Sequence, residues 1–184
     1  RMLSVAYMAL TQDLPAEVAS GRWMGCYGFL PWEDWRGGRP AVIAETIEPA
    51  LARWVRQAGG QKVGKQRQER VNVTFGAGPS TEMDSVLSLE RFELLYEAGL
   101  VAEAVRDRNL GHVAPEGMGA ALHADHRRIL ATALGRLRGK LHRLLHDCDL
   151  LLTAHRPATL ARLGLDWPAL HKRHPRLAQL AIVG

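Results

Sequence analysis

CDLLLTAHRPATLARLGLDWPALHKRHPRLAQLAIVG, residues 148–184, holds two short apolar runs with helical spacing between them. Residues 150–153 form a continuous apolar run, too short for a helix and typical of a strand in a buried parallel sheet. Residues 159–163 and 167–172 carry helical spacing, and residues 177–183 form a second apolar strand. Strand, helix, strand in that order predicts a parallel pair of the doubly wound kind, and with it an α/β chain. The second strand reaches Gly184 with no capping element after it, as expected of a piece cut from a larger domain.

Upstream lies the strongest helical pattern, residues 121–146. Leu130, Leu134, Leu137, Leu141, Leu144 and Leu145 recur at three and four residues, giving an apolar stripe. Arg127, Arg128, Arg136, Arg138, Lys140 and Arg143 are placed on the opposite, basic face, which is suited to nucleic acid or to plain solvation. Gly135 and Gly139 each weaken a helix by about 1 kcal/mol relative to Ala, so a break is expected near Gly139. Val86, Leu89, Phe92 and Tyr96 predict an earlier helix, with Thr81 and Asp84 as its capping pair and Gly99 as its stop. A short helix over 101–108 and a Gly-rich connector over 111–119 follow.

In the first third, residues 3–10 alternate and predict a half-buried strand, and the aromatic, Gly-studded residues 23–30 predict a second. Val42, Ile43, Ile47, Leu51, Trp54 and Val55 make a helical stripe that Pro49 should kink or divide into two short helices. The polar residues 58–70 are expected to form an exposed loop, and the alternation of Val71, Val73 and Phe75 to form a further strand.

Composition narrows the function classes. Of 184 residues, 47% are hydrophobic, enough for a core. No run of roughly eighteen apolar residues is present to span a bilayer as a helix. The two cysteines, Cys26 and Cys148, are far apart and in no paired spacing, which argues against a disulfide scaffold and for a cytoplasmic, reducing home. A net charge of +5 attracts phosphate in nucleotides, coenzymes or nucleic acid.

Several motifs bear on chemistry. Gly59 and Gly64-Lys65 have the spacing of a phosphate-cradling loop, but Gln66 replaces the Ser or Thr that would hold magnesium. A Nudix box, whose helix clusters carboxylates around magnesium, can be laid over Gly78, Asp84, Phe92, Glu93, Leu94, Tyr96, Glu97, Gly99 and Leu100. In that frame Phe92 replaces the Arg and Tyr96 replaces one metal-binding Glu, leaving Glu93 and Glu97 as weak metal candidates. His123 and His126 are spaced to share a metal, with no third ligand evident. Trp32 and Trp35, flanking Glu33 and Asp34, could stack a base or ribose. No complete catalytic centre emerges.

Two family resemblances follow from these segments. LSVAYMAL (3–10), FLPWEDWRGGRP (29–40), RFELLYEAGLVAEA (91–104) and DHRRILATALGRLRGKL (125–141) together resemble the Nudix-related bacterial regulators of NAD metabolism. The resemblance covers residues 1–141 and implies a mixed α+β Nudix-like domain over residues 1–140, its box missing upstream. It implies a non-catalytic sensor of ADP-ribose or a related nucleotide, with DNA reached only through a winged helix not found here. Trp32, Glu33, Trp35 and Arg36 would face that ligand, and Arg70 its phosphate. A homodimer is compatible, and a Nudix-type hydrolase of nucleoside diphosphate derivatives is the catalytic variant of the same resemblance.

Residues 141–184 instead resemble the N-terminal part of class III CoA-transferases. Arg156-Pro157 matches an Arg-Pro loop near the coenzyme in that family, whereas Ala154-His155 departs from the family's Asn-aromatic pair. This resemblance implies a Rossmann-like piece with CoA as ligand, lacking the family's catalytic Asp. Two resemblances meeting inside one helix suggest a truncated or chimeric reading frame.

Overall fold

A computed structural model describes residues 24–76, 84, 86–153, 156–163 and 165–181. The expected strand over residues 3–10 and the cap at Thr81 lie outside these. Within them the chain is mixed α/β: a helical body, then a parallel strand pair. No helix among the described residues is long and apolar enough to cross a membrane.

The body opens without the expected second strand. Residues 24–33 instead make two 3₁₀ turns, Cys26–Gly28 and Pro31–Glu33. Phe29 N–H closes onto the Cys26 carbonyl at 3.0 Å and Glu33 N–H onto Leu30 at 2.9 Å, so the local turns consume the groups a strand would share.

Pro49 does not divide the next helix, which runs unbroken over residues 41–56. Residues Ile43–Ile47 form a π turn that runs directly into α1, Glu48–Arg56, and the wider turn precedes Pro49, which has no N–H to give to a regular helical bond. Ile43, Ile47, Ala50 and Leu51 are buried along one side.

The largest departure is α2, Gln61–Phe75, one helix where a loop and a strand were expected. Gln, Lys, Arg and Glu dominate its first half and lose little rotamer freedom in a helix. Lys65 and Glu69 lie within 4.0 Å and Gln68 donates to Asn72 at 2.8 Å, both four residues apart. Val71, Thr74 and Phe75 turn inward while Val73 is 67% exposed, so the alternation of valines was a helical spacing in disguise. Gly76, at φ 86°, ends it.

Helices α3, Ser88–Glu97, and α4, Ala102–Asp107, lie where the spacing placed them. Gly99 stops α3 at φ 74°, a conformation suited to glycine.

Helix α5, Ala124–His146, runs unbroken through Gly135 and Gly139. These glycines mark a seam, not a break. A Cβ on Gly135 would lie 2.4 Å from the Val86 carbonyl oxygen, so the chain ahead of α3 touches the α5 backbone directly.

Trp32, Ile43, Ile47, Leu51, Phe75, Phe92, Leu94, Leu95, Ala131 and Leu134 belong to one core. A second, small cluster holds Leu145 of α5 with Leu170 and Leu177. It belongs to the predicted strand-helix-strand unit: β1, Leu150–Thr153, then α6, Pro157–Leu163, α7, Trp167–Arg173, and β2, Ala178–Ala181. The strands pair in parallel, Leu150 with Ala178 through Thr153 with Ala181. The expectation that β1 is buried on both faces fails, because Leu150, Leu152 and Leu180 are each more than half exposed.

Candidate functional site

The tryptophan segment turns inward. Trp32 and Glu33 are wholly buried, so neither offers an atom to a ligand in this conformation. The Glu33 carboxylate accepts from Arg91 Nε at 2.6 Å and Nη2 at 2.9 Å, from Ser88 Oγ at 3.1 Å, and from Arg138 Nη1. Arg138 Nη2 also donates to the Glu33 carbonyl at 2.8 Å, and Arg91 Nη1 to the carbonyls of Thr74 at 3.2 Å and Asp84 at 2.8 Å. One carboxylate thereby joins the first turns, α2, α3 and α5.

Burial alone would raise the Glu33 pKa, but the bonds and charges of Arg91 and Arg138 outweigh it and hold the carboxyl below its ordinary value. A lowered value stabilises the fold above the ordinary carboxylate range, and that stabilisation is lost as pH falls through the folded value.

Trp35 is half-buried and donates its indole N–H to the Trp32 carbonyl at 3.3 Å. Arg36 is exposed, bonded to Asp34 at 2.7 Å and 2.8 Å, with its guanidinium 4.6 Å above the Tyr27 ring. Its hydrogen bond holds the Asp34 carboxyl below the usual range. The four residues therefore do not converge on a shared cavity.

A second buried ion pair went unforeseen. Arg127, assigned by its spacing to the exposed basic face, is fully buried and bonds Glu103 at 2.7 Å. It also donates to the carbonyls of Phe29 at 2.9 Å and Met118 at 2.6 Å. Arg128 bonds Glu93, and Arg138 bonds Glu33, so only Arg136, Lys140 and Arg143 of that face are exposed. Half of the proposed nucleic-acid surface is internal structure.

Three nominated residues do meet, in a groove of about 730 Å³ between α2 and α3. Arg70, Glu93 and Glu97 line it, with Val63, Val73 and Leu89 among its apolar lining. Arg70 bonds Glu97, and Glu93 bonds Arg128 Nε at 2.6 Å, so both carboxylates nominated for metal face guanidinium groups. Glu69 and Glu90 also line the groove, giving it four carboxylates beside the guanidiniums of Arg67 and Arg70. Such a lining gives a diphosphate little electrostatic welcome at Arg70.

The glycine-lysine pattern forms no cradle. Gly64 lies inside α2 with its N–H spent on the Gly60 carbonyl at 2.9 Å, and Lys65 points to solvent. His123 caps α5, its Nδ1 accepting from Asp125 N–H at 3.3 Å, with the His126 ring 5.6 Å away. Among the described residues, no three His, Cys, Asp or Glu side chains group to hold a metal.

Arg156 stands apart from these. It is exposed, lies just past the carboxyl end of β1, and leads into α6, where Pro157 opens the helix. Its carbonyl accepts the N–H of Leu160 at 3.1 Å. In open α/β sheets, ligands bind beyond the carboxyl ends of the strands, and Arg156 occupies that position here.

Comparison with known proteins adds one match. The family profile of CoA-transferase family III matches residues 105–184, from inside α4 through α5 and the whole β1–α6–α7–β2 unit. The match starts well before residue 141 and takes in the segment 125–141 on which the other resemblance partly rested. No curated protein matches the chain significantly.

Proposed function

We propose that residues 105–184 form a coenzyme-binding segment of the CoA-transferase family III type, with Arg156 as the residue that meets the coenzyme. The family match over those residues carries the reading. The fold supports it, since the matched stretch contains a parallel strand pair joined by a helical crossover. Arg156-Pro157 is the residue pair that resembles the family's loop near the coenzyme, and Arg156 is exposed where a ligand could reach it. A guanidinium suits that task because its planar fork donates two parallel bonds to a phosphate. The reading concerns binding, and the residues named account for no acyl transfer.

Calorimetric titration of the whole chain with CoA, and separately with ADP-ribose, tests it. CoA is expected to bind, and Arg156→Gln to weaken it by about tenfold, the loss of one charge-assisted contact. Absence of CoA binding overturns the reading, and so does tighter binding of ADP-ribose, which would favour a nucleotide sensor instead.

A further inference from the structure

The last turns of α5 meet the end of α7 through two histidines. The rings of His142 and His174 stack with centroids 5.8 Å apart and planes 25° apart. His174 is only 9% exposed, and neither of its ring nitrogens has a hydrogen-bond partner among the described residues. Its backbone links two leucines of the small core: His174 N–H donates to the Leu170 carbonyl at 2.7 Å, and its own carbonyl accepts from Leu177 at 3.0 Å.

We propose that the His142–His174 stack is an acid-released latch: the neutral rings hold the β1–α6–α7–β2 unit on α5, and protonation lets that unit go. The proposal stands apart from the coenzyme reading.

A buried ring with two unpartnered nitrogens gains nothing from a second proton and loses solvation for a full charge. The neighbouring charges add to that cost. Arg173 Nη1 lies 3.3 Å from His142 Nε2, and both Arg173 and His146 repel a charge on His174. Arg138 repels a charge on His142 as well, and Asp84, ahead of α3, attracts it. Asp147, at the end of α5, is bonded to His146 at 3.0 Å. On α7 itself, Lys172 is exposed and adds positive charge, and the exposed His171 ring stacks on Trp167.

Burial, followed by the adjacent cations, holds both rings below the ordinary histidine value. A histidine lowered in the folded state takes up protons more readily when unfolded. The latch therefore contributes fully above the ordinary value of about 6.5 and is lost as pH falls below it. The Glu33 network fails only further down, below its ordinary value of 4.5. Between those two pH values the latch opens while the helical body stays closed.

Hydrogen exchange on the full chain at about pH 7.5 and about pH 5.5, corrected for intrinsic rates, reads this directly. Amides of Leu177 and Ala178 are expected to lose protection by about tenfold or more at the lower pH, while those of Ala98 and Leu100 hold. In the double variant His142→Phe with His174→Phe, which keeps both flat rings and removes both titrations, the difference is expected to vanish. Equal loss in both regions, no loss at all, or a surviving response in the double variant overturns the proposal. If that variant does not fold, the wild-type imidazole titrations followed by NMR decide. Values below 6.5 for both rings support the latch, and an ordinary or raised value for His174 sinks it.

Discussion

The helical body of α1, α2, α3 and the first half of α5 places charges inside itself, whereas the β1–α6–α7–β2 unit leaves apolar surface outside. In the body, Arg91 and Arg127 are as inaccessible as the leucines beside them, each answered by a buried glutamate and by backbone carbonyls. In the unit, Leu170 and Leu177 meet Leu145 of α5 in the small core, with Leu151 and Leu165 packed against it, while Leu150, Leu152, Leu180 and Trp167 face outward. The difference shows two ways of fixing an arrangement. A buried ion pair with every donor placed is intolerant of change and therefore specifies one packing. A few leucines on a two-stranded sheet specify less and hold less tightly.

The sharpest way to break the contrast is to strike the body at its charges. Arg91→Met removes two of the donors that hold Glu33 and leaves that carboxylate to Arg138 and the Ser88 hydroxyl; a loss of about 3–5 kcal/mol is expected in urea unfolding, as for other buried pairs deprived of one partner. Leu170→Ala strikes the small core, where a cost of about 2–4 kcal/mol is expected, confined to α7 and β2 in hydrogen exchange. A loss spread evenly over both regions would show that the two do not differ in kind. At the small end, Arg70→Gln opens the half-exposed pair with Glu97 in the groove and should lower the unfolding free energy by no more than about 1 kcal/mol. A larger effect would mark the groove as part of the body's framework.

Much of this fold was readable from spacing. The leucine stripe and Gly99 place α3 and α5 within a few residues of where they lie, and the apolar runs at 150–153 and 177–183 give the parallel pair. The failure at α2 has a physical cause. Val71, Val73 and Phe75 satisfy a period of two, yet Val71, Thr74 and Phe75 satisfy the helical period equally well, and only the neighbours decide between them. The site was less readable. Glu33 and Arg91 are 58 positions apart, and nothing in the local sequence around the acidic tryptophan segment says its carboxylate turns inward. A signal did exist at Arg91, which shares one helical face with Leu94 and Leu95, so a charge on an apolar stripe called for a buried partner. Glu103, between Val101 and Ala104, offered the same hint for Arg127.

Because α5 runs without a break from the large core to the small one, it sets the angular phase between them. Its 23 residues span about 35 Å as a rod. One residue inserted between Gly139 and Leu145 would advance everything downstream by about 1.5 Å and turn it by about 100°. Gly135 would keep its seat against Val86, while Leu145 would turn together with Leu170 and Leu177, carrying the small core round relative to the large one. Length changes in this helix are therefore rotations first, and a grafted unit keeps its bearing only when spliced by whole turns.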